Sequence, residues 1–193
     1  MKALRILNRV WVGLLIVLPG ASQAQDLTLV LEPASTKVEI SLSAFAHTVH
    51  GKFALKSGTV HFNPATGSAS GLVIVDAASG NTGNDGRDHK MHTAVLESQR
   101  FTEIRFTPDK LSGTLNLQGS SDVRLEGMLS LHGDEHAATL PLSVQIDGKN
   151  LSATTHFEVP YVSWGMKNPS TFVLRVSEKV EVEITASGKL SSP

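Results

Sequence analysis

From Asp26 onward the chain alternates between apolar and polar positions. Leu27, Leu29 and Leu31 share one parity. After a turn at Pro33 and Ser35, Val38, Ile40 and Leu42 alternate with Lys37, Glu39 and Ser41. A period of two sends successive side chains to opposite faces of an extended backbone, so such runs are half-buried β-strands. Phe53 and Leu55, then Val60 and Phe62, continue the pattern up to an Asn63-Pro64-Ala65-Thr66-Gly67 turn. Leu72–Val75 is apolar at every position and reads as a strand packed on both faces. Ile104 and Phe106 follow, with Pro108 and Asp109 expected to end their run. Val123, Leu125, Leu129 and Leu131 precede a turn at Gly133-Asp134. Leu140, Leu142, Val144 and Ile146 run into Asp147-Gly148, a hairpin signal. Leu151 to Val159, then Phe172, Leu174 and Val176, then Val180, Val182 and Ile184 complete the chain. About ten such segments, spaced by turn signals every ~8–12 residues, predict an all-β sandwich or barrel.

The stretch from Val75 to Phe106 departs from this rhythm. Its strand breaks at Gly80, passes through a Gly/Asn-rich bend, and enters the only clear helix signal after the first residues. Asp85 is the expected N-cap, and Asp88 favours the first turn. Met91 and Val95 fall on one helical face beside Ala94. A single short helix cannot build a layer, so it is expected to plug or cover one end of the sheet.

Residues 1–24 are read separately. Lys2, Arg5 and Arg9 precede the apolar run Val10–Leu18, Pro19 and Gly20 break it, and Ser22-Gln23-Ala24 offers small residues for cleavage. This is the pattern of a secretory signal peptide, which predicts export and a mature domain over 25–193. The chain has 17 basic and 18 acidic residues; losing Lys2, Arg5 and Arg9 leaves an excess of four acidic ones. That balance argues against a nucleic-acid partner. No other stretch is long and apolar enough to span a bilayer. With no cysteine, stability rests on the core, and thiolate metal sites are excluded.

Core positions are mostly Val, Leu and Ile, with seven Phe, two Trp and one Tyr. A sandwich of this size more often carries a buried aromatic cluster and paired cysteines. An antiparallel barrel instead leaves interior side chains that either meet across the axis or line a cavity. Periodicity does not choose between filled and hollow.

Several stretches together carry a family likeness: Leu31-Glu32-Pro33-Ala34-Ser35, His50-Gly51-Lys52-Phe53, Gly58-Thr59-Val60-His61-Phe62-Asn63-Pro64, Val75-Asp76-Ala77-Ala78-Ser79, Thr82-Gly83-Asn84 leading to Arg87-Asp88, and Leu129-Ser130-Leu131-His132-Gly133 ahead of Leu140-Pro141-Leu142. In order and spacing the chain resembles the YceI-like family of exported, lipocalin-like proteins. It departs from the family pattern in the helix, where Val95-Leu96 replaces paired aromatics and the family's histidine falls on either His89 or His92. The Tyr161–Arg175 segment also looks like a sub-group form. The resemblance implies an elongated antiparallel barrel of about eight main strands, with one short helix near its mouth. It also implies an apolar pocket for an isoprenoid-type or acyl lipid, and a role in periplasmic transport, storage or sequestration.

Candidate site residues follow from the strand parities. The expected cavity wall is Val38, Ile40, Leu42, Leu72, Ile74, Ile104, Phe106, Leu129, Leu142, Val144 and Val182. The expected mouth comprises Arg87, Asp88, His89, His92, Tyr161 and Trp164. Arg87 and Asp88 either hold an anionic head group or tie the loop to the barrel rim. Tyr161 and Trp164 either shape the pocket or anchor a loop outside it. His89 and His92 have the i,i+3 spacing of a metal pair, but no His-Glu-x-x-His pattern accompanies them. No serine sits in a Gly-x-Ser-x-Gly context. No metal, cofactor or catalytic residue is expected. The competing readings are a structural or stress-related interaction protein with a filled barrel, and a histidine-based metal-dependent protein. Pairing of two chains is left open.

Overall fold

The computed structural model describes residues 26–45, 47–171 and 175–192. The expected signal peptide, and Phe172 and Leu174 of one expected strand, lie outside the described residues. Nine strands run through the rest: β1 (Leu27–Leu31), β2 (Lys37–Ala44), β3 (His47–Phe62), β4 (Ala69–Asn81), β5 (Glu103–Ser112), β6 (Gly119–Leu131), β7 (Asp134–Asp147), β8 (Asn150–Val159) and β9 (Val180–Ser191). Each pairs antiparallel with its chain neighbour from β2 to β9, and β9 pairs back onto β2. β1 and β2 both lie between β3 and β9, at opposite ends of them. They form one stave, broken by the 3-10 turn at Pro33–Ser35, so the sheet closes as a barrel of eight staves. The alternating sequence made this closure possible, since every stave has one apolar face to turn inward.

Several sequence expectations change in detail, among them the break at Gly80, since β4 runs on to Asn81. Pro108 does not end its strand; it pairs with Gly127, and the ladder shifts register between Pro108 and Lys110. A bulge accommodates a proline that cannot donate to the ladder. A Cβ on Gly127 would stand 2.3 Å from the Thr107 carbonyl oxygen and 2.9 Å from the Phe106 ring, so the two backbones meet there only because this residue is glycine. The Leu72–Val75 run packs chiefly on one face: Leu72 is 37 % exposed, whereas Val75 is 9 % exposed.

The interior divides along the barrel axis. At the end holding Leu27, Ser191 and the turns Asn63–Ser68 and Gly148–Lys149, buried side chains meet. Leu29, Val60, Val123, Val144, Ile146 and Leu190 form a packed cluster, with Ile146 only 2 % exposed. At the other end lie the β2–β3 hairpin, the β6–β7 hairpin, the β8–β9 connection and the helix α1 (Asp85–Lys90). Asn84, one residue before the expected cap, is the N-cap; its side chain accepts from the Arg87 backbone N–H at 2.9 Å. The helix then widens into a π turn at Met91–Val95, with the Leu96 N–H donating to the Met91 carbonyl.

Candidate functional site

Between the packed end and the helix the barrel is hollow. The cavity measures 510 Å³, within the range of roughly 300–1,000 Å³ typical of small-molecule sites. Its walls come from alternate residues of many strands. Val38, Ile40 and Leu42 of β2 stand beside Val180, Val182 and Ile184 of β9. Val49 and Phe53 of β3, Val73 and Val75 of β4, Ile104 and Phe106 of β5, and Leu129 and Leu131 of β6 continue the wall on successive neighbouring strands. Leu140, Phe157 and Val159 complete the ring. Met91, Val95 and Leu96 cover it from the helix side, joined by Tyr161 and Met166 from the β8–β9 connection. The π turn lets Val95 and Leu96 both face the cavity, although they are consecutive. Gly80 is the close approach behind this cover: a Cβ there would lie 2.6 Å from the Phe53 ring and 2.8 Å from the Met91 methyl.

The expected wall residues divide accordingly. Val38, Ile40, Leu42, Ile104, Phe106, Leu129 and Val182 line the cavity. Leu72 and Ile74 do not, because Val73 and Val75 take the inward parity of β4. In an uninterrupted apolar run the period-two signal cannot say which parity faces in. Leu142 and Val144 do not line the cavity either: Val144 belongs to the packed end, and Leu142 packs between that cluster and the one around the cavity. The sequence reading missed Leu131, Leu140, Phe157, Val159 and Ile184 as wall. Their own strands' alternation marked them as inward, but not at which height.

At the rim, Arg87 and Lys90 line the opening together with His47, and among the described residues no carboxylate lines it. Lys90 was overlooked; its signal was the i,i+3 spacing that puts it on the Arg87 face of the helix. Arg87 donates through Nε to the Thr82 hydroxyl at 2.7 Å and through Nη2 to the Thr82 carbonyl at 2.9 Å. The buried Asp88 carboxylate accepts from the Thr82 N–H at 2.9 Å and from the Thr82 hydroxyl. Burial alone would raise the Asp88 pKa. The Thr82 hydroxyl and N–H, with the Arg87 charge, outweigh it and hold the carboxyl below its ordinary value. Asp88 therefore ties the helix to the end of β4, while Arg87 does this and also faces the opening.

The two histidines do not converge. His89 is exposed. His92 has Nε2 against the Gly80 carbonyl at 2.8 Å and Nδ1 against the Ser98 hydroxyl at 3.0 Å. The carbonyl can only accept, so Nε2 carries a proton and Nδ1 takes the Ser98 hydrogen. That arrangement staples the helix and leaves no lone pair for a metal. Among the described residues no group of three or more His, Cys, Asp or Glu could hold one. Tyr161 is buried against the cavity with its hydroxyl donating to the Ser177 carbonyl at 2.7 Å; burial, then the Glu178 charge, raises its pKa. Trp164 does not line the cavity. It stacks on His136, ring centroids 3.9 Å apart, and packs half-buried against the cluster that includes Leu131, Tyr161 and Met166.

Comparison with known proteins places this geometry. The YceI-like domain model matches residues 29–187. Burkholderia cenocepacia BcnA is similar in structure, with a TM-score of 0.67 at 14 % identity, covering 81 % of this chain and 98 % of its own. A polyisoprenoid binding domain from Saccharophagus degradans, implicated in plant cell wall breakdown, is similar with a TM-score of 0.66 at 16 % identity, covering 86 % of this chain and 98 % of its own. The Campylobacter jejuni YCEI protein follows with a TM-score of 0.56 at 16 % identity, covering 98 % of each chain. No curated protein matches the sequence. At these identities the structures share the fold, and the family model spans nearly all of the barrel: this chain belongs to the YceI-like domain family.

Proposed function

We propose that this protein binds one long apolar lipid, an isoprenoid-type or acyl chain, and carries, stores or sequesters it outside the cytoplasm. The observation that carries this reading is the 510 Å³ cavity, lined by aliphatic, aromatic and methionine side chains and opening beside Arg87 and Lys90. Each methylene moved from water into such a cavity contributes about 0.8 kcal/mol, offset by the cost of ordering the chain. The blind, packed end limits how much of a chain can enter, and Arg87 and Lys90 favour an acidic or strongly polar head at the rim. The polyisoprenoid-binding neighbour supports the chain type. Residues 1–24, read as a cleavable signal peptide, support a periplasmic location.

The protein acts as a binding protein and not as an enzyme. Its cavity presents hydrocarbon to its contents, and the charged groups at its rim, Arg87 and Lys90, are cations with no nucleophile or general base paired to them in the lining. A filled-barrel interaction protein is the second reading, and the hollow half weighs against it. The sheet closes on itself, so pairing of two chains would need a surface other than a strand edge. Native mass spectrometry of protein purified from its own periplasm tests the proposal. A co-purifying lipid mass is expected; a clean apo mass together with no uptake of prenyl or acyl probes would overturn it.

A further inference from the structure

The rim carries a feature that lipid storage alone does not require. Phe45, at the tip of the β2–β3 hairpin, is 71 % exposed, the most exposed large apolar side chain among the described residues. Ala44 and His47, which flank the tip, both line the cavity opening. The Phe45 N–H donates to the Arg175 carbonyl at 2.9 Å, and Arg175 is itself exposed. Lys90 reaches over the opening to the Pro169 carbonyl at 2.7 Å, and exposed Lys167 lies two residues from that proline. An unshielded aromatic ring thus projects beside one apolar aperture that Arg87 and Lys90 line and, among the described residues, no carboxylate does, and exposed Lys167 and Arg175 lie on the segment that follows Met166 at the same end. Acidic residues do occur at this end: Asp85 at the helix start, Asp134 and Glu135 on the β6–β7 hairpin, and Glu178.

We propose that this rim docks on the surface of an anionic bilayer, with Phe45 entering the headgroup–acyl boundary and the basic groups resting on lipid phosphates. Aromatic rings favour that boundary, and basic side chains gain from an anionic leaflet over about one Debye length. Seated so, the aperture opens directly onto the acyl region, and a lipid chain can pass without crossing water. The occupant is a membrane and not a protein partner because the exposed apolar group is a single projecting ring with charge around it, not a broad face. The excess of four acidic residues over 25–193 opposes long-range attraction, so docking is local, reversible and weakened by salt. This inference rests on the lipid-binding reading above.

The test uses the mature chain, vesicles of phosphatidylcholine with or without phosphatidylglycerol, and a fluorescent prenyl probe. Sedimentation is expected to show binding to the anionic vesicles, reduced about tenfold by Phe45→Ser and reduced by Arg175→Gln or added salt. Phe45→Trp should bind like the parent and shift its emission to the blue on vesicle addition. Phe45→Ser should still take up the probe, since Phe45 is not a wall residue. Probe uptake without vesicle association, or association indifferent to Phe45→Ser, overturns the docking alone. Failure to take up the probe overturns the lipid-binding reading beneath it.

Discussion

At the scale of single residues, Thr82 joins the two parts of the mouth. One hydroxyl and one backbone N–H serve Asp88, while the same hydroxyl and the carbonyl serve Arg87. Hydrogen bonds to a buried carboxylate are worth about 1.5–3 kcal/mol. Asp88→Ala should therefore lower stability by about 2–3 kcal/mol at neutral pH in denaturant unfolding. The pH dependence has a defined sign. The folded carboxyl titrates below the ordinary value of 3.8, so its contribution is complete above that value and lost as pH falls through the folded one. The stability gap between parent and Asp88→Asn should thus shrink in acid and stay constant from about pH 5 upward. Asn84 offers a milder check: Asn84→Ala should cost about 1 kcal/mol through the lost helix cap.

At the scale of elements, the cover is a strand end, a helix and a π turn held together by a glycine. Gly80 admits the Phe53 ring and the Met91 methyl, and His92 ties the turn to the Gly80 carbonyl. Gly127 performs the comparable service where β6 passes the bulge in β5. Replacing Gly127 by Val should cost about 3 kcal/mol, because the added atoms must displace backbone and not a flexible side chain. The walls can be tested by filling them. Val182→Trp projects into the hollow half, so it should leave thermal stability near the parent value and sharply reduce uptake of a prenyl probe in a fluorescence titration.

At the scale of the molecule, the barrel is two structures end to end, one packed and one hollow. Ile146→Ala, in the packed end, should cost about 2–5 kcal/mol and leave probe affinity within about twofold, because no cavity wall changes. A ligand that fills the hollow end stabilises by mass action, about 2.7 kcal/mol at a hundredfold excess over its dissociation constant. For a domain of this length that corresponds to a rise in Tm of roughly 5–10 °C. Calorimetry before and after delipidation reads it directly.

Much of this was legible before any coordinates. Alternation in Val38–Leu42, Ile104–Phe106 and Leu140–Ile146 determined strands with one apolar face, and the absence of helical periodicity outside Asp85–Val95 determined an all-β sandwich or barrel with a single short helix. Both follow from local backbone geometry, which reads residues two or four apart. Three things were not local. The inward parity of Leu72–Val75 depended on which neighbours paired with β4. The height of Val144 against Val182 along the axis depended on register across the whole ring. The choice between filled and hollow depended on whether opposed side chains reach each other across the barrel. Periodicity names the face a residue turns to, but only the closed barrel sets the distance to what stands opposite.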